Sequence, residues 1–211
     1  MTLKFYDFPM APSPRRARIL LAEKNVPHEA IIVDMMKAEQ LGDEYRAINP
    51  LCTIPALKLE NGIVLTENAG IAAYLDEQYP DVPMLGSSSI DKGLIANWNA
   101  ICEFQGLAAV AEALRNSSPG MKDRAITGPV NWPQIPELAE RGLGRIDLFF
   151  DILNERLEGR EYLATDEFSY ADITAVVVVD FARVVKKKPQ DRHENLNRWR
   201  SNIHSRPSMS L

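Results

Sequence analysis

The stretch N-P-L-C-T-I-P-A-L-K-L-E-N-G-I-V-L-T-E-N, residues 49–68, decides the fold. Ile54-Pro55 opens a strand, and a proline there cannot donate a ladder hydrogen bond, so it belongs at an edge or a strand start. An X-Pro bond is also the kind that is commonly cis, and cis prolines serve tight turns. Asn61-Gly62 separates the runs 56–60 and 63–65, which predicts a two-residue hairpin with positive φ at both central residues. Thr66-Glu67-Asn68 leads into A-G-I-A-A-Y-L, a polar cap and a carboxylate that open a helix. A turn with exposed backbone, a hairpin and a helix N-terminus then stand side by side, a grip suited to a small zwitterionic peptide.

Upstream of this stretch, residues 3–6 read as a short strand followed by Pro9, Pro12 and Pro14. Ser13-Pro14 reads as an N-cap and first-position proline, opening a helix to about Lys24 with Ala17, Leu20 and Leu21 on one face. Residues 28–33 form a second strand, apolar enough to be central. Residues 37–47 read as a weaker helix carrying Leu41 and Tyr45, stopped at Asn49-Pro50. The predicted order is β-α-β-α-β-β-α. With a right-handed first crossover, this is an α/β thioredoxin-like domain over residues 1–80.

Downstream, residues 79–89 hold two prolines, a glycine and three serines, and 81–86 is taken as the linker. An all-helical domain follows over 87–211. Its first helix, 91–115, aligns Leu94, Trp98, Ile101 and Ala108. A loop over 116–136 carries Trp132, and loops of that length are usually functional. Another helix begins at Pro136 and ends at Gly159. Ser169-Tyr170-Ala171-Asp172 approximates a capping box, so the β-branched run 173–179 is expected to be a buried central helix. Gly142 and Gly144 inside the Pro136 helix suggest close helix packing, and a third glycine for a dinucleotide loop is missing.

Composition narrows the function. A formal net charge of −5 leaves no basic footprint for nucleic acid. The longest apolar run is far too short to span a membrane, and the N-terminus shows no signal-peptide core. Cys52 and Cys102 form neither a C-x-x-C nor a disulfide framework. His28, His193 and His204 lack metal-ligand spacing, so no metal is expected. These features predict a cytoplasmic protein.

Five stretches, in order and at matching spacing, resemble the cytosolic-type glutathione transferases over nearly the whole chain. They are A-P-S-P-R-R-A-R-I-L-L-A-E-K, N-P-L-C-T-I-P-A-L, L-T-E-N-A-G-I-A-A-Y-L, Y-L-A-T-D-E-F-S-Y-A-D-I and the terminal R-W-R…S-R-P. The resemblance implies glutathione as co-substrate. Ile54, before the cis-proline Pro55, would pair its backbone with the cysteinyl part, a short β-augmentation. Glu67 and Asn68 would hold the γ-glutamyl end, helped by the free N–H groups of the helix. Gln40 and Thr53 fall where polar contacts to the glycine carboxylate are made. Pro9, Met10 and Trp132 would line the co-substrate side. The family is usually homodimeric.

One departure bears on chemistry. The family's thiolate-stabilising serine is Ala11 here, and Ser13 is the nearest hydroxyl, a position that resembles a polar residue of a bacterial nu-type branch. Lowering a thiol pKa by two units from about 8.5 takes roughly 2.7 kcal/mol. One charge-assisted hydrogen bond supplies about 1.5–3 kcal/mol, and a helix N-terminus about 0.3–1. Ser13 is thus both the candidate thiolate donor and a candidate cap. Tyr6 is expected to point into the sheet, Arg15 and Arg16 to sit on a solvated first turn, and Cys52 to be a bystander. Three functions stay open: glutathione transfer to a small apolar electrophile, nu-like disulfide reduction, and a non-catalytic binding module of the stringent-starvation type.

Overall fold

The computed structural model describes residues 2–211. The chain divides into two units. The first runs through Val82 and includes Thr127–Asn131 and Leu211; the second comprises Pro83–Ile126 and Trp132–Ser210.

In the first unit, β1 (Leu3–Asp7), α1 (Pro12–Glu23) and β2 (His28–Ile32) form the crossover; α2 (Asp43–Arg46), β3 (Ala56–Lys58), β4 (Val64–Leu65) and α3 (Asn68–Gln78) follow. The sheet order is β2-β1-β3-β4. β1 runs parallel to β2 and antiparallel to β3, with Tyr6 opposite Ala56. This is the thioredoxin-like arrangement. Neighbouring strand residues face opposite sides of a sheet, and Phe5 and Tyr6 are both buried, so both faces of β1 are covered. Tyr6 packs with Val33, Tyr45, Ile54 and Ala56, and the Ala11 methyl joins that cluster.

Four local expectations are corrected. The second strand is an edge strand, not central: Ile32 is 54% exposed, and its apolar residues do not by themselves mark a strand with two neighbours. The helix expected over 37–47 is two 3-10 turns, Met35–Lys37 and Glu39–Leu41, and then the four-residue α2. Ala38 in the left-handed region and extended Gly42 break it, while Asp34 caps the first turn through the Met36 and Lys37 amides. In the hairpin, the Gly62 N–H bonds the Leu59 carbonyl at 3.0 Å, and Gly62 is the one turn residue with positive φ, at 89°. Asn61 instead accepts the Ile63 N–H through its side chain. Finally, α1 begins earlier than expected. Ala11 occupies the cap position and Pro12 the first helical position. Both Pro12 and Pro14 suit the first turn, and the chain uses the earlier one.

Two ion pairs fasten this unit. Arg18 grips both Asp7 oxygens at 2.7 Å and reaches the Pro9 carbonyl at 3.2 Å, fixing the turn between β1 and α1. Lys24, buried at the end of α1, meets Asp76 at 2.8 Å and the Tyr79 and Val82 carbonyls at 2.8 and 2.5 Å.

The second unit is helical: α4 (Ser89–Ile101), α5 (Ala108–Ser117), α6 (Pro136–Arg156), α7 (Tyr170–Phe181) and α8 (Glu194–His204). A π-helical segment, Cys102–Leu107, joins α4 to α5. It sets Gly106 against α6 and α7, where a Cβ would lie 2.6 Å from Phe149 and 2.8 Å from Val178. Gly142 lets α6 meet α5, since a Cβ there would stand 2.7 Å from the Ala113 nitrogen; Gly144 meets nothing within 4 Å. α7 is buried through Asp180. Its buried Asp172 accepts from the Ser169 N–H (3.1 Å), the Leu163 N–H (2.8 Å) and the Trp199 indole (3.0 Å).

Candidate functional site

The Ile54-Pro55 bond is cis. The carbonyl just before it, that of Thr53, is held from behind by the Tyr45 hydroxyl at 2.7 Å and the Asn49 amide at 2.8 Å. The Asn49 amide also reaches Thr53 Oγ1 at 3.0 Å. Ile54 buries its side chain, while its own N–H and C=O find no partner among the described residues. Main-chain groups left unpaired between a fixed carbonyl and a strand start offer a donor and an acceptor to an extended peptide. Sequence reasoning missed Tyr45 and Asn49 as the supports of this turn. Asn49 carried a signal, a side chain able to bond its own neighbourhood, but it reads first as a helix stop before Pro50. Burial pushes the Tyr45 phenol up, so it stays a neutral donor to Thr53.

Glu67 stands at the cap of α3, exposed and making no capping bond. The first amides of the helix therefore carry partial positive charge with no side chain quenching it. Asn68, the first residue of α3, is only 4% exposed. Its Nδ2 donates to the Ser13 carbonyl at 3.1 Å, and its Oδ1 is buried without a partner. The N-termini of α3 and α1 are thus one side chain apart.

At α1, the cap residue Ala11 makes no side-chain bond. Pro12 and Pro14 have no N–H, so Ser13 supplies the one amide among the first three helical residues. The Ser13 hydroxyl is half-buried and unengaged among the described residues, so capping does not account for it. Arg16 is buried rather than solvated.

The remaining candidates scatter. Gln40 lies in the second 3-10 turn, buried, with Oε1 unpartnered, not on a solvated helix face. Pro9 and Met10 form the turn after β1, and Met10 is 67% exposed. Trp132 belongs to the second unit, 48% exposed, its main chain bonded to Asp123 and Ala125. Cys52 is buried with φ at 54°, a left-handed position that glycine fills more easily. Its Sγ faces the Pro50 carbonyl at 3.6 Å, a packing role. Among the described residues no cluster of His, Cys, Asp or Glu is placed to hold a metal, and no helix is long and apolar enough to cross a membrane.

Residues 11–78 match the family model for the glutathione S-transferase N-terminal domain, and residues 117–207 the model for its C-terminal domain. Glutathione S-transferase 2 of Saccharomyces cerevisiae is 31% identical over 97% of this chain and 86% of its own length. This chain belongs to the glutathione S-transferase family. Among solved transferases, Gtt2 from Saccharomyces cerevisiae superposes with a TM-score of 0.88 at 31% identity, covering 98% of both chains. A glutathione S-transferase domain-containing protein of Marinobacter aquaeolei gives the same score and identity over 98% of this chain and 99% of its own. A Gtt2-class transferase of Vibrio parahaemolyticus scores 0.83 at 26% identity, over 98% and 95%. The Ala11 methyl, at the cap of α1, packs against the buried cluster that contains Tyr6 and Ile54.

Proposed function

We propose that the protein binds glutathione on the first unit and transfers it, through its thiolate, to a small apolar electrophile. The observation that carries this is the unpaired main chain of Ile54, which takes the cysteinyl segment of the tripeptide as a short added strand. Glu67 takes the ammonium, and the free backbone N–H groups at the start of α3, that of Asn68 included, take the α-carboxylate. Gln40 and Thr53 contact the glycine end. Pro55 turns the Ile54 backbone outward. The sulfur then lies by the first turn of α1, where Ser13 offers the hydroxyl and the amide. The thiolate attacks the electrophilic carbon, the new carbon–sulfur bond replaces the bond to the leaving group, and catalysis rests on thiolate stabilisation and proximity. Pro9 and the exposed Met10 give the electrophile apolar contact. We place this chemistry in a reducing cytoplasm and in a homodimer.

Calorimetric titration with glutathione, followed by turnover of an aryl halide and of a small disulfide, tests this reading. Binding with aryl-halide turnover supports it. Turnover of the disulfide alone moves the assignment to glutathione-dependent reduction, and binding with neither reaction to a binding module. Absence of binding overturns it. Ser13→Ala is expected to lower kcat/KM about 10- to 100-fold near neutral pH, the worth of one charge-assisted hydrogen bond; unchanged kinetics would remove Ser13 from the mechanism.

A further inference from the structure

We infer that the Asn68 side chain is a positioning residue that holds the first turn of α1, and with it Ser13, rather than a contact to the ligand. The inference rests on the proposed glutathione site for its catalytic meaning, but the clamp itself is independent of it. Three observations point the same way. Asn68 is 4% exposed and its Oδ1 is closed off, so the side chain presents little surface to a ligand. Its Nδ2 meets the Ser13 carbonyl at 3.1 Å; a carbonyl accepts only from a donor, which fixes the amide's orientation. And α1 starts with no side-chain cap and with two prolines that lack amides, so local capping bonds do little to hold this turn. The bond from Asn68 spans 55 residues of sequence to secure it.

A carbonyl held at the second helical residue also sets where that residue's own amide and hydroxyl point, because backbone and χ1 geometry are linked. Removing the clamp therefore changes the environment of the sulfur more than the grip on the peptide.

The test compares Asn68→Ala, Ser13→Ala and the double variant in the full-length protein. In Asn68→Ala the acid limb of kcat/KM for the aryl halide against pH, taken at saturating glutathione so that it reports ionisation of the bound thiol, is expected to move up by about one unit. The dissociation constant of glutathione should change less than about threefold. In the Ser13→Ala background the same substitution should move the limb no further, since contacting residues that act as one unit are not additive. In ligand-free protein, hydrogen exchange of the Arg15 and Arg16 amides should speed about tenfold in Asn68→Ala. A tenfold or greater loss of glutathione affinity with an unmoved limb would make the Asn68 side chain a ligand contact and overturn the inference, as would strict additivity with Ser13→Ala. If wild-type protein binds no glutathione, the proposed function falls and amide exchange alone decides the clamp: unchanged exchange overturns it.

Discussion

Asp172 shows how much one side chain can carry. Burial pushes its carboxyl up from 3.8 to about 6 against the lowering effect of its donors from Leu163, Trp199 and Ser169. Between the unfolded and folded values the native protein holds a proton that the unfolded chain has released. Its contribution is complete below about pH 4 and is lost as pH rises through about 6, a change of roughly 3 kcal/mol. In urea unfolding across that range, Asp172→Asn should lack this decline. It should also be less stable by about 2–4 kcal/mol at pH 5, because an amide nitrogen now meets N–H donors. Equal pH slopes in the two proteins would assign the titration to another group. The two thiols, Cys52 at 3% exposure and Cys102 at 0%, should ignore an aromatic disulfide reagent in the native state and react only on unfolding. At this scale the sequence was legible where a residue has one possible job, as with Asp172 in its capping box. It was ambiguous at Ser13, where cap and catalyst use the same hydroxyl and the choice turned on which of two prolines starts the helix.

Elements were legible where periodicity is long. α6 follows from its apolar spacing and its starting Pro136, while α7, whose apolar run has no period, follows from the capping box at Ser169. Short elements were not: α2 has four residues, fewer than periodicity can register, and a left-handed Ala38 carries no sequence mark. β2 misleads for a different reason, since His28-Glu29-Ala30-Ile31-Ile32 has the composition of a central strand but lines up with β1 alone. The two glycines of α6 separate by environment. Gly142→Ala would drive a methyl into the α5 backbone at Ala113 and Ala109 and should cost about 1–3 kcal/mol. Gly144→Ala meets open space and should gain about 0.5–1 kcal/mol from helix propensity. Chemical denaturation of the pair checks both signs at once.

For the molecule as a whole, five spaced motifs made the two-part architecture and the family readable, because each motif fixes a turn or cap that the fold needs. Each unit also has a buried charge at its centre of organisation: Lys24 in the first, Asp172 in the second. Lys24→Met would leave Asp76 and two carbonyls without their cation. It should lower the stability of the first unit by about 3–5 kcal/mol, seen as a lower thermal midpoint for the transition that includes the β-sheet. A midpoint equal to wild type would mean that those carbonyls find water instead.

The prolines that flank Ser13 have one more consequence. An ordinary helix start presents several interchangeable protons, so losing one is forgiven by the rest. Here the first turn has no redundancy: whatever negative charge settles there is served by one residue, through its backbone and its side chain together. Restoring a spare is simple to arrange, since Pro14→Ala adds an amide next to Ser13, and the Ser13→Ala defect should then be partly masked.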